Sequence, residues 1–171
     1  ASIEDTDLPQ PFGSVGTPRM LSIEESVGKM KAAIEGRQDP KFVIAGRTSA
    51  CTISNVDDCI ARAKAYEAAG VDMIFLAGVK SHDDIEAVAT EVNIPMIIGG
   101  GPAADLDRYA ELGVRIALQG HKPIMAAVRA VYDTLKALRD GTPHGDIEYF
   151  ADADMMKQVT RGGDYDRWMQ E

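Results

Sequence analysis

Five short stretches of this sequence have ends where functional groups would gather, and three of them end on residues able to do chemistry. Glu4 and Asp5 close the first, Arg47 and Thr48 follow the second, Ala77 and Gly78 the third, Gly99 to Gly101 the fourth, and Gly120 and His121 the fifth. An acid pair suits a hard divalent cation, bound directly or through its waters; capping of backbone N–H groups is the alternative for the same two residues. Arg47 offers a planar fork for a substrate carboxylate, or a structural ion pair with Glu4 or Asp5. The His121 imidazole is suited to exchanging a proton or donating to an oxyanion, against a capping or buried structural role. His82 and His144 fall in an expected helix cap and a turn and are given no role. Cys51 lies near the same end but has no adjacent histidine, which makes it a small apolar filler rather than a nucleophile.

These residues converge only if the stretches that carry them lie side by side. The apolar runs are Ser2–Asp5, Phe42–Ala45, Met73–Leu76, Pro95–Ile98 and Arg115–Leu118. They are continuous rather than alternating, as in parallel strands covered on both faces. Amphipathic helices separate them. Ser22-Ile23-Glu24-Glu25 is a capping box, with Ile23, Val27, Met30 and Ile34 as its apolar stripe. Asn55 caps a second helix that stops before Gly70, Ser81 opens a third, and Leu106, Tyr109 and Ala110 mark a fourth ended by Gly113. Pro123 starts a long fifth helix that runs to Gly141, followed by a turn-rich joint and two short helices in a tail. The expected division is therefore 1–141 for the β/α part and 142–171 for the tail.

Strict β/α alternation gives either a doubly wound sheet or a (β/α)₈ barrel, and in both the functional groups gather beyond the strands' C-terminal ends. No G-x-G-x-x-G follows a strand, which counts against dinucleotide binding. Five strands do not close a barrel of eight, and the abrupt opening without Met suggests an absent upstream part. The segment Thr6–Thr17 starts directly after the acid pair and is rich in Pro and Gly, so it is placed to be a lid; an ordinary βα loop is the alternative.

The composition narrows the partners. A net charge of −9 repels nucleic acid and anionic membranes, although a local arginine still admits a small anion. Cys51 and Cys59 form no disulfide framework, no apolar run reaches a membrane span, and the N-terminus has no signal-peptide pattern. These features fit a cytoplasmic protein.

Taken in order, Ile3-Glu4-Asp5, the loop after it, Phe42 to Ala50 (FVIAGRTSA) and Ala61 to Phe75 (ARAKAYEAAGVDMIF) resemble the isocitrate lyase/phosphoenolpyruvate mutase superfamily across nearly the whole chain. The resemblance implies a (β/α)₈ TIM-type barrel of which this chain supplies about five β/α units, starting at the fourth strand. It implies Mg²⁺, with Mn²⁺ as a substitute, reached by Glu4 through water and with Asp5 beside it; the direct ligands would lie upstream. Arg47 matches the family's carboxylate-binding arginine, His121 its histidine at the eighth strand, and Gly99 and Gly100 line the substrate. Leu8, Pro9, Phe12 and Gly13 belong to the lid.

The family's lyases carry a Lys-Lys/Arg-Cys-Gly-His lid motif, and the lid here, Leu8 to Gly13, has no cysteine. Ile3 to Gly13 (IEDTDLPQPFG), Gly113 to His121, and Tyr165 with Trp168 instead resemble the oxaloacetate decarboxylase branch. Decarboxylation of oxaloacetate or a close 2-keto diacid through a metal-stabilised enolate is the implied reaction, with Arg47 and His121 catalytic. A carbon–carbon lyase on a substituted malate or a phosphonate mutase is the enzymatic alternative. A non-catalytic half-barrel that needs a partner segment is the other. The resemblance also implies a homo-oligomer that exchanges the last barrel helix, the one from Pro123.

Overall fold

The computed structural model describes residues 1–9, 12–13, 16, 18–99, 106–148 and 150–171. Its helices begin where the side chains can satisfy the free N–H groups of a first turn. The Ser22 hydroxyl accepts the Glu25 N–H at 3.1 Å and opens α1 (Ile23–Glu35). Asn55 accepts from the Asp58 N–H at 2.9 Å and opens α3 (Val56–Ala69), which stops at Gly70 with φ 97°, a left-handed turn open to glycine. Ser81 accepts from Asp83 and Asp84 to open α4 (His82–Ala89), and α5 spans Leu106–Glu111. One helix has no counterpart in the sequence pattern: α2 (Ala50–Ile53), a single turn after Arg47-Thr48.

The strands are β1 (Ser2–Glu4), β2 (Ala45–Thr48), β3 (Met73–Ala77), β4 (Met96–Gly99) and β5 (Val114–Leu118). They form one wholly parallel sheet in the order β1-β2-β3-β4-β5. A doubly wound sheet reverses its order at a switch point; no reversal occurs among these five, so the sequential order decides between the two architectures in favour of a barrel arc.

Side chains alternate across each strand, and the alternation gives the sheet two unlike faces. Ile74, Leu76, Met96 and Ile98 are buried against the helices, with Met30, Ala63, Tyr66, Ile85 and Val88 opposite them. On the other face the register carries one row straight across: Glu4, Arg47, Phe75, Ile97 and Ile116. None of these five is fully buried.

The second strand differs from its expected place. Phe42 and Val43 are exposed, and the ladder begins at Ala45. The reason lies in the Asp72 carboxylate, which accepts the Ile44 N–H at 2.8 Å and also pairs with Arg37 at 2.8 Å. A carboxylate thus takes a donor that a neighbouring strand would otherwise hold. Arg47 consequently lies within β2 rather than after it.

The chain divides into two compact units, Ala1–Gly120 and His121–Glu171. The division falls before the long helix rather than after residue 141. In the second unit are α6 (Lys122–Arg139), α7 (Ala153–Val159) and α8 (Gly162–Trp168). Among the described residues, no helix is long and apolar enough to cross a membrane.

Gly46 sits on the helix face of β2 with no room for a side chain, since a Cβ there would lie 3.0 Å from the Tyr66 Cβ and Cδ2. Gly46→Ala is expected to cost about 1–3 kcal/mol by overpacking, measured as a lower midpoint in urea unfolding.

Candidate active site at the strand ends

Adjacent residues at the end of β1 face opposite sides of the sheet, and this separates the two acids. Glu4 joins the open row: its Oε2 lies 3.5 Å from Arg47 Nη2. That distance is an electrostatic contact rather than a good hydrogen bond. Lys29 of α1 donates to the Glu4 carbonyl at 2.5 Å and holds the strand end.

Asp5 turns to the helix face and is 0 % exposed. Its Oδ2 accepts from the Tyr66 hydroxyl at 2.7 Å and meets Arg62 Nη1 at 3.4 Å. Burial pushes the Tyr66 hydroxyl well above the ordinary tyrosine range, and the bond to Asp5 adds to it, so Tyr66 stays protonated as a donor. Burial works against the Arg62 charge, but hydrogen bonds to Tyr66 and Asp58 outweigh it and raise the guanidinium above its usual value. The expectation that Asp5 stands beside Glu4 at a metal is therefore corrected: Asp5 fastens β1 to α3.

Arg47 is fixed on three sides. Its backbone lies in the β2 ladder, its guanidinium carbon stands 5.2 Å over the Phe75 ring, and Glu4 flanks one terminal nitrogen. Its Nε–H is buried and has no hydrogen-bond partner among the described residues. An unpaired buried donor costs about 1–3 kcal/mol, which a carboxylate oxygen of a bound anion would recover.

The loop that follows is gathered at its base. Thr6 bridges Met20, the Asp7 N–H donates to the Arg19 carbonyl at 2.8 Å, and the two side chains of Asp7 and Arg19 are paired. Leu8 and Phe12, both expected in the lid, project to solvent; Pro9 and Gly13 lie in the same loop. Gly99 ends β4 on the row above Phe75, while Gly100 lies outside the described residues. His121 is the first residue of the second unit and N-cap of α6, where its side chain makes no capping hydrogen bond.

A divalent ion asks for about six oxygen ligands. Among the described residues there is no group of three or more acidic, histidine or cysteine side chains that could hold one. Glu4 is the one carboxylate these strand ends direct beside Arg47, so the described residues do not make a metal site by themselves.

A sequence profile of phosphoenolpyruvate phosphomutase matches residues 1–139. The chain belongs to that family. Within it, this sequence is 51 % identical over 162 residues to an oxaloacetate decarboxylase of Bradyrhizobium diazoefficiens, covering 94 % of this chain and 56 % of the relative. The chain thus spans a little over half the length of the curated relatives it matches. Phosphoenolpyruvate phosphomutase from Streptomyces platensis subsp. rosaceus superposes with a TM-score of 0.76 at 19 % identity, over 99 % of this chain and 62 % of that one. A phosphonopyruvate hydrolase in complex with oxalate and Mg²⁺ does so with 0.71 at 26 % identity, over 99 % and 60 %. These solved relatives agree with the barrel arc seen in the strand order and with the phosphomutase-type barrel that the sequence resemblance implies.

Sequence reasoning missed Phe75, Tyr66 and Arg62. The last two were detectable, because they lie four residues apart on one face of α3. The two cysteines also meet unexpectedly. A hydrogen bond with Cys51 pushes the Cys59 thiol up, with burial adding to it, and the same bond lowers Cys51.

Two predictions separate these roles. Asp5→Asn is expected to lose about 3–5 kcal/mol of stability in urea unfolding, as when one partner of a buried pair is removed, whereas Glu4→Gln changes it by less than about 1 kcal/mol. Iodoacetamide is expected to alkylate half-buried Cys51 in the native protein and to reach Cys59 only after unfolding, read by peptide mass spectrometry.

Proposed function

We propose that this chain carries the carboxylate-binding side of an enzyme that decarboxylates oxaloacetate or a close 2-keto diacid in a Mg²⁺-dependent reaction. The observation that carries the reading is Arg47, a cation locked in the sheet with a buried N–H left to donate. The relatives named oxaloacetate decarboxylase support the choice of substrate.

In the reaction the bond between C3 and C4 of oxaloacetate breaks, CO₂ leaves, and the electron pair moves into the C2 carbonyl to give the enolate of pyruvate. A proton then returns to C3. Arg47 binds and orients a carboxylate of the substrate, and its charge favours the state in which negative charge has spread to the C2 oxygen. Glu4 flanks the guanidinium on one side and would help to hold Mg²⁺, which would supply a Lewis acid for the enolate charge. The family resemblance, rather than a distance, supports His121 as the group that orients the substrate or helps to return the proton. Leu8, Pro9, Phe12 and Gly13 act as a lid whose base is already pinned, and closing it would exclude water from the enolate. The family resemblance supports Gly99 and Gly100 as residues that line the substrate.

Partners follow from the same surfaces. The half-open row from Glu4 to Ile116, and the outer edges of β1 and β5, which pair with no further strand among the described residues, support a barrel whose remaining strands come from beyond these five. Helix α6 exposes Ile124, Val128, Val131, Leu135 and Leu138, alternately four and three residues apart. That seam supports its role as the last barrel helix, exchanged with a second copy.

Assay of the protein with oxaloacetate is expected to give pyruvate and CO₂, and Arg47→Ala to lower kcat/KM by about 10²–10³-fold with an unchanged circular dichroism spectrum. Turnover of dimethylmalate or phosphonopyruvate in preference to oxaloacetate would reassign the substrate. Unchanged kinetics in Arg47→Ala would remove the arginine from the reaction.

A further inference from the structure

The Phe75 ring lies beneath the Arg47 guanidinium, at 5.2 Å from ring centroid to guanidinium carbon. The two residues are register partners on neighbouring strands, so the stack is built into the ladder. What lets the ring lie there is found one strand further on. A Cβ on Gly99 would stand 3.0 Å from Phe75 Cε2 and 3.2 Å from Cζ. Any side chain at residue 99 would force the ring aside by a few tenths of an ångström.

Gly99 is not held in a left-handed backbone conformation, since it is absent from the positive-φ glycines. Its small size therefore has a steric cause, which is the space taken by the ring. The ring in turn occupies one face of the guanidinium. Glu4 flanks one terminal nitrogen, and the buried Nε–H has no hydrogen-bond partner among the described residues.

We propose that Phe75 is a positioning residue for Arg47 and that the absence of a side chain at Gly99 admits its ring. The quadrupole of the ring attracts the cation over its face and limits how the guanidinium plane can swing. With that plane fixed, the fork meets a carboxylate without first losing its own freedom, and affinity gains by the ordering already done. The proposal rests on the reading of Arg47 as the carboxylate receptor. Phe75→Leu leaves the Arg47 charge in place and loosens only the fit of its fork to the carboxylate, so the effect falls on KM rather than kcat.

The test pairs kinetics with a direct view of the arginine. With oxaloacetate as substrate, Phe75→Leu is expected to raise KM about tenfold and leave kcat within about twofold. Phe75→Tyr, which keeps the ring, is expected to restore KM, and Gly99→Ala to shift it in the same direction as Phe75→Leu but by less. A lowered kcat with KM unchanged, or no rescue by tyrosine, overturns the proposal. In ¹⁵N-labelled protein the Arg47 Nε–H signal, assigned by its loss in Arg47→Lys, should lie upfield under the ring current. It should move toward the exposed arginines in Phe75→Leu and stay in Phe75→Tyr. A signal that Phe75→Leu does not move overturns the stacking role whatever the kinetics show. If the unsubstituted protein does not turn over oxaloacetate, the substrate reading fails, and the signal still decides whether the ring positions Arg47.

Discussion

The open row of the sheet depends on a bond made behind it. β1 is three residues long and, among the described residues, pairs only with β2, so few ladder bonds keep its end from fraying. Asp5 prevents this by accepting the Tyr66 hydroxyl and meeting Arg62, both from α3, at the point where the strand ends. The next residue back is Glu4, so the anchorage of one acid fixes the direction of the other. Lys29 adds a tie to the Glu4 carbonyl from α1. The electrostatic contact between Glu4 and Arg47 is weak on its own, yet it recurs in one place because both backbones are held.

Two missing side chains shape this arrangement from opposite faces. On the helix face, Gly46 lets Tyr66 come down against β2, which brings its hydroxyl to Asp5. On the open face, Gly99 leaves the volume that the Phe75 ring fills. Dense packing makes such gaps as specific as the groups that occupy them. The same fold with alanine at either position would keep its strands and lose the fit between them.

Much of this was legible before any coordinates. The caps at Ser22, Asn55 and Ser81 mark helix starts because their oxygens serve N–H groups three residues on, a local event. The order of elements was legible for the same reason, since it depends on neighbours in sequence. The register of β2 was not, because the Asp72 carboxylate that displaces it is supplied from the start of another strand. Nor was the stack of Phe75 under Arg47, which needs the pairing of β2 with β3 to be known. The fate of Asp5 was within reach: strand alternation alone forbids neighbouring residues from sharing a face, and the resemblance to a metal site obscured that simpler rule.

The position of Arg47 inside a strand has an evolutionary consequence. A receptor for an anion that rides on a loop moves whenever the loop is lengthened or exchanged. Here the charge is carried by the hydrogen-bonded ladder itself, between Glu4 and Phe75. Loops such as Asp7 to Arg19 can then change in sequence and length while the position of that charge stays constant. One sheet can in this way serve successive chemistries, each acquired by remodelling what surrounds a fixed charge.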